Sequence, residues 1–195
     1  MRKVYDPSYM LPPGHLAVSY ILAKESEKKS KSLTAQGIVF IVFCGIIFDL
    51  DFFVPYLFGY PGGAHHYFPT HTPLAGIVYF SVLSLMFKNK FSKKTFIVAG
   101  MAMILHLVFD DLSYWLCLLG LESNVRPQIF WLYPFDLRRN IEIQRALDLY
   151  SQQKITNKDI LLGYIVGAPK LFIIEIFSTI AATYIFLRTK LAKNK

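Results

Sequence analysis

The residues of this chain whose types could do chemistry gather in four short stretches. "GHLAVSY" carries His15, "IIFDLDFF" carries Asp49 and Asp51, "GGAHHYFPTHTP" carries His65, His66 and His71, and "HLVFDDLSYW" carries His106, Asp110 and Asp111. All five histidines of the protein lie in them. Asp110 follows His106 by four positions and shares its helix face, whereas Asp111 points elsewhere. Imidazole and carboxylate together are the ligand set of zinc and related divalent ions, and a buried excess of carboxylates is what such a cation neutralises. Charged groups inside an apolar run are tolerated only when they are paired, bound to a metal or facing a water-filled cavity.

Each stretch also has a plainer reading. His15 suits a helix cap or an interface, and Asp49 with Asp51 suits the acidic end of a span reaching the headgroups. The aromatic-rich loop suits a membrane interface, and His106 with Asp110 suits a hydrogen-bonded pair tying helices together. Their joint occurrence favours a metal.

The elements that must position these residues are apolar. The 195 residues are 54% hydrophobic and 16% aromatic but only 17% charged, short of the roughly 25% usual in soluble domains. Apolar runs cover residues 14–23, 33–58, 72–87, 95–121 and 161–187. Crossing the hydrocarbon takes ~20 residues, so the second, fourth and fifth runs suffice, the third is short, and the first makes at most a half-length helix. No repeat and no sustained period of two is present, which excludes a barrel pattern. The expected fold is all-α: a polytopic membrane bundle of about four spanning helices, a shorter N-terminal helix and an extramembrane surface helix near residues 137–150. It forms one domain over residues 1–195, with the motifs in 1–135 and the surface helix and last span in 136–195. Cys44 and Cys117 match no metal or redox spacing and read as small hydrophobes. Charge and prolines in "MRKVYDPSYMLPPG" argue against a cleavable signal peptide.

A net charge of +8 would suggest nucleic acid in a soluble protein, but here the basic residues sit in short segments between apolar runs, so no nucleic acid is expected. "KESEKKSK", "KNKFSKK" and "RTKLAKNK" should share the cytoplasmic side, which gives a self-consistent alternation of runs. By helical rise, His106 lies roughly 17 Å and Asp110 roughly 22 Å beyond Thr95, Asp49 about 24 Å beyond Leu33, and His15 about 13 Å back from Lys24. The chemistry thus converges on the non-cytoplasmic half of the membrane, where Gly62 and Gly63 let the loop turn toward it.

In order and spacing these motifs resemble a family of inner-membrane-associated metal-dependent hydrolases called YdjM-like, distantly similar to zinc-dependent phospholipase C and P1 nuclease. The matching positions are His15, the D-x-D of Asp49 and Asp51, "HYFPTHT" from His66, the H-x-x-x-D of His106 and Asp110, and "YPF" at Tyr133. They cover about the first 135 residues. The family carries proline before the D-x-D and histidine after it, where this chain has Phe48 and Phe52, and Arg-Gly where it has Tyr67 and Phe68. The resemblance implies an integral protein of the cytoplasmic (inner) membrane that holds one or two divalent ions, zinc or manganese, on its non-cytoplasmic side. Asp49, His71, His106 and Asp110 lead the expected ligands, with His15, Asp51 and His66 beside them; spacing does not decide between His65 and His66.

The expected activity is hydrolysis of a phosphoester or phosphodiester in a lipid-like substrate. The metal would activate water and stabilise developing charge, and Asp51 is the candidate general base. The rival class is a non-catalytic membrane protein with a structural metal site or an ion-transport role. A path for ions would need polar groups along a span, and only Lys170 and Glu175 of the last run offer them.

Overall fold

The computed structural model describes residues 10–29, 33–59, 65–66, 68–121, 129, 131–135, 164–166 and 168–193. The Gly62–Gly63 turn and the surface helix expected near residues 137–150 lie outside them. Among the described residues every regular element is helical, as the absence of period-two patterning predicts.

Helix α1 (Pro12–Lys29) starts on two prolines, whose fixed φ suits a first turn. It runs further than its apolar stretch because Lys24–Glu27 and Lys28–Glu25 pairs, one turn apart, hold its polar end. Helix α2 (Ala35–Ile46) is capped by the Thr34 hydroxyl, which accepts from the Gly37 N–H at 3.1 Å. A 3-10 turn (Phe48–Phe52) and the short α3 (Phe53–Leu57) follow. Helix α4 (Pro73–Phe87) begins on Thr72, which accepts from the Ala75 N–H, and has proline in its first turn. Helix α5 (Lys93–Asp110) is capped by Ser92 in the same way and leads into α6 (Leu112–Leu118). The last helix, α7 (Pro169–Lys193), has 25 residues.

Two of the apolar runs are broken where their carboxylates fall. The axis bends by 44° between α2 and the turn bearing Asp49 and Asp51, and by 53° between α5 and α6, at Asp110 and Asp111. Broken helices at depth are stable where the freed backbone lines a cavity or a site. Among the described residues α7 alone qualifies by length and apolarity as a membrane span, or up to three spans if each bent pair counts as one, with α4 a shorter apolar helix.

Contacts at both ends give the helix directions. His15 meets Asp110 at one end of α1, while near the other end the Ser26 carbonyl accepts from Lys94, so α1 and α5 are antiparallel. Helix α2 parallels α5, since Gly37 faces Thr95 and the Gly45 carbonyl meets His106. Phe87 packs on Phe40 and Gly76 on Phe48, which turns α4 against α2. Helix α7 parallels α1 through Gly14–Glu175 and Tyr20–Phe186. The directions therefore alternate as the basic segments predict.

Small residues let the central helices approach. A Cβ on Gly45 would lie 1.8 Å from the Ser19 hydroxyl, and Ala99 and Ala102 of α5 are fully buried against α2. Outward faces are apolar: Ile77 and Leu85 of α4 and Phe177 and Ile180 of α7 are 60–70% exposed. Apolar outer faces of this extent are unusual on a water-soluble bundle.

Candidate metal centre

Asp110, the last residue of α5, is the hub. One of its carboxylate oxygens lies 2.9 Å from His15 Nε2; the other lies 2.9 Å from His71 Nε2, 3.1 Å from His106 Nε2 and 3.8 Å from His66 Nδ1. A second carboxylate, Asp49, sits 3.7 Å from His106 Nε2 and 3.8 Å from His65 Nε2. A third, Asp51, approaches His71 Nδ1 to 3.7 Å. All eight side chains are buried. Every residue expected to be a ligand is brought to one place, although they come from α1, the turn after α2, the loop before α4, and α5.

Local structure explains each placement. The 3-10 turn brings Asp49 and Asp51 round after the bend that ends α2. His71 precedes the Thr72 cap of α4, so the start of that helix fixes the end of the histidine loop. His106 Nδ1 lies 2.8 Å from the Gly45 carbonyl oxygen; a carbonyl only accepts, so Nδ1 carries the proton and Nε2 offers its lone pair to the site. The His15 and His106 rings stack at 3.7 Å.

Three sets of donor atoms fall within 4.8 Å of one another: His65, His66 and His71; His15, Asp49 and His106; and His71, His106 and Asp110. These buried groups could hold a metal ion, and the sets overlap at His71 and His106. The fit is also visible in what is unsatisfied. Asp49 Oδ2 and both oxygens of Asp51 are buried without a hydrogen-bond partner, a costly arrangement that a cation among them relieves.

The two loop histidines differ in charge. Burial disfavours the imidazolium of His71, but Asp110 and Asp51 outweigh it and raise its pKa to about 10. Burial, reinforced by His65 and His71, holds His66 well below the ordinary value. One ring keeps a proton among carboxylates and the other offers the lone pair of one ring nitrogen.

Some of what matters here escapes sequence reasoning. His65 joins the centre alongside His66, through Asp49, so the pair need not be resolved into one ligand and one bystander. Asp111, ambiguous by spacing, turns away: its carboxylate accepts from the Ile129 N–H at 3.0 Å and the Trp131 indole N–H at 2.7 Å. Phe48, where the resembled family has proline, stacks obliquely on His71 and His106, with ring centres 5.4 and 5.1 Å away. Glu175 accepts from the Gly14 N–H at 3.2 Å and the Tyr164 hydroxyl at 2.5 Å, and Lys170 donates to the Leu121 carbonyl. Those bonds make both residues fasteners of α7.

No family model, no curated protein and no solved structure matches the chain.

Proposed function

We propose that the chain is a membrane-embedded, metal-dependent hydrolase of the YdjM-like type, acting on a phosphoester or phosphodiester of a lipid-like substrate. The observation that carries this reading is the convergence of three imidazole Nε2 atoms on the Asp110 carboxylate, beside Asp49 Oδ2 and the two Asp51 oxygens, which are buried and accept no hydrogen bond. A stabilising hydrogen-bond network would satisfy its own carboxylates, whereas a cation site leaves them for the ion.

His15, Asp49, Asp51, His65, His66, His71, His106 and Asp110 are the residues that would hold one or two ions, with zinc favoured by the imidazole-rich set. When bound, such ions supply Lewis acidity and an activated water. Asp51, buried 3.7 Å from His71 Nδ1, is the group to receive a proton. Phe48 shields one side of the histidines from water.

In the membrane, α2 with the following turn, α4, α5 with α6, and α7 are the four spans, and α1 is a shorter helix packed among them. The lysine-rich end of the bundle faces the cytoplasm of a cell bounded by its inner membrane, so the centre lies toward the opposite side. The test is elemental analysis of detergent-purified protein together with assays on phosphodiester lipids. Near-stoichiometric zinc or manganese and metal-dependent phosphate-ester cleavage are expected. Protein that stays metal-free after incubation with either ion overturns the reading.

A further inference from the structure

A cavity of about 340 Å³ opens between α4 and α5 beside the centre. At one end it is bounded by Pro73, Leu107 and Trp131, which lie within two residues of His71 and His106 or are tied to Asp111. At the other end it reaches Ser81 and Gly100, eight residues of α4 away, or about 12 Å by helical rise. Phe48 forms the inner wall against the imidazoles, its ring wedged into the notch at Gly76, where a Cβ would come within 2.8 Å of its tip. Ile77 and Ile104 flank the mouth and are 65% and 60% exposed on the apolar outer face.

We infer that this cavity takes one hydrocarbon chain of a membrane lipid, holding it along the bundle axis with its ester-bearing end at the His/Asp centre. The chemistry of the walls selects that occupant. The hydroxyl of Ser81 already donates to the Ile77 carbonyl at 2.7 Å and the Trp131 indole N–H to Asp111, so no side-chain donor of the wall is left for a polar ligand. A peptide would bring amide groups that go unsatisfied there. The volume is at the lower end for ligand pockets, which start at about 300 Å³, and suits one chain rather than a whole two-tailed lipid. The mouth is continuous with the apolar surface of α4 and α5, and the far end from Ser81 abuts the residues next to the ligands. This deepens the hydrolase reading and rests on it for the identity of the substrate, but occupancy of the cavity can be measured without turnover.

The full chain in vesicles of phosphatidylethanolamine and phosphatidylglycerol is photolabelled with phosphatidylglycerol carrying a diazirine on one acyl chain, and labelled residues are mapped by mass spectrometry. Met103, 3% exposed and on the cavity wall, reports the interior; Phe177 and Ile180 of α7 report bulk lipid. Label is expected on Met103 and Trp131, falling several-fold in Ile77→Trp and in Ile104→Trp, while α7 labelling and metal content stay constant. Label on α7 without label on Met103, or label on Met103 that neither variant reduces, overturns the inference.

Turnover separates the two claims. With phosphodiesters of increasing chain length, kcat/KM should rise about fourfold per methylene until the cavity is filled, the equivalent of the ~0.8 kcal/mol per buried methylene. Cleavage that ignores chain length sinks the cavity and leaves the hydrolase. Label on Met103 with no ester cleaved sinks the hydrolase and leaves the cavity.

Discussion

His106 donates through Nδ1 to the carbonyl of Gly45 at 2.8 Å, and this bond ties the ligand-bearing face of α5 to the backbone of α2. It also fixes the tautomer in which Nε2 faces Asp110 and Asp49. Glycine at position 45 also lets α1 pack here, because a side chain there would collide with Ser19. His106→Ala and Asp110→Ala should both lower bound metal to background by elemental analysis. Asp110→Ala removes the carboxylate around which three imidazoles are organised. Retention of wild-type metal in either variant would place the metal away from His106 and Asp110.

His71 makes metal uptake depend on pH. Its pKa is raised to about 10 by Asp110 and Asp51, so near neutrality the metal-free ring is protonated and must lose that proton to bind an ion. Apparent affinity should therefore rise about tenfold per pH unit on approach to that value and weaken by the same factor as pH falls. Competition titration with a chromophoric chelator at several pH values measures the slope. A flat profile would show that metal uptake displaces no proton from His71.

Much of this was legible in the sequence because its chemistry-bearing residues are rare and grouped. A chain with five histidines, all in short motifs, advertises a centre, and counting helical rise from the basic segments predicts a common depth. The bends at Asp49 and Asp110 were not legible: continuous apolar runs over 33–58 and 95–121 read as straight spans, since hydropathy does not register where a carboxylate turns the backbone toward a site. Nor was Asp111, whose partners Ile129 and Trp131 are 18 and 20 positions away, beyond any local pattern. Phe48 read as a departure from a motif; only packing reveals it as the partition between the histidines and the cavity.

Asp111 gives the sharpest contrast with its neighbour. Its carboxylate holds the Ile129 amide and the Trp131 indole. Asp111→Ala should destabilise the chain by about 1–3 kcal/mol, the usual cost of leaving buried donors without their acceptor, read as a lower unfolding temperature in detergent. Metal per chain should be unchanged. Loss of metal with unaltered stability would mean that the carboxylate is a ligand after all.

Glu175 decides between the hydrolase and an ion path. It sits 6% exposed within α7 and accepts from Gly14 of α1 and from Tyr164, so both its oxygens are engaged in joining helices. A conducting carboxylate must exchange partners with passing ions, which these bonds oppose. Glu175→Gln keeps one carbonyl acceptor and should lower the unfolding temperature modestly, with Glu175→Ala costing more, while metal content and metal-dependent hydrolysis persist in whatever protein remains folded. Reconstituted vesicles should show no metal-ion flux for wild type or variant. Flux in the wild type that Glu175→Gln abolishes, with hydrolysis absent from both, would replace the enzyme by a transporter.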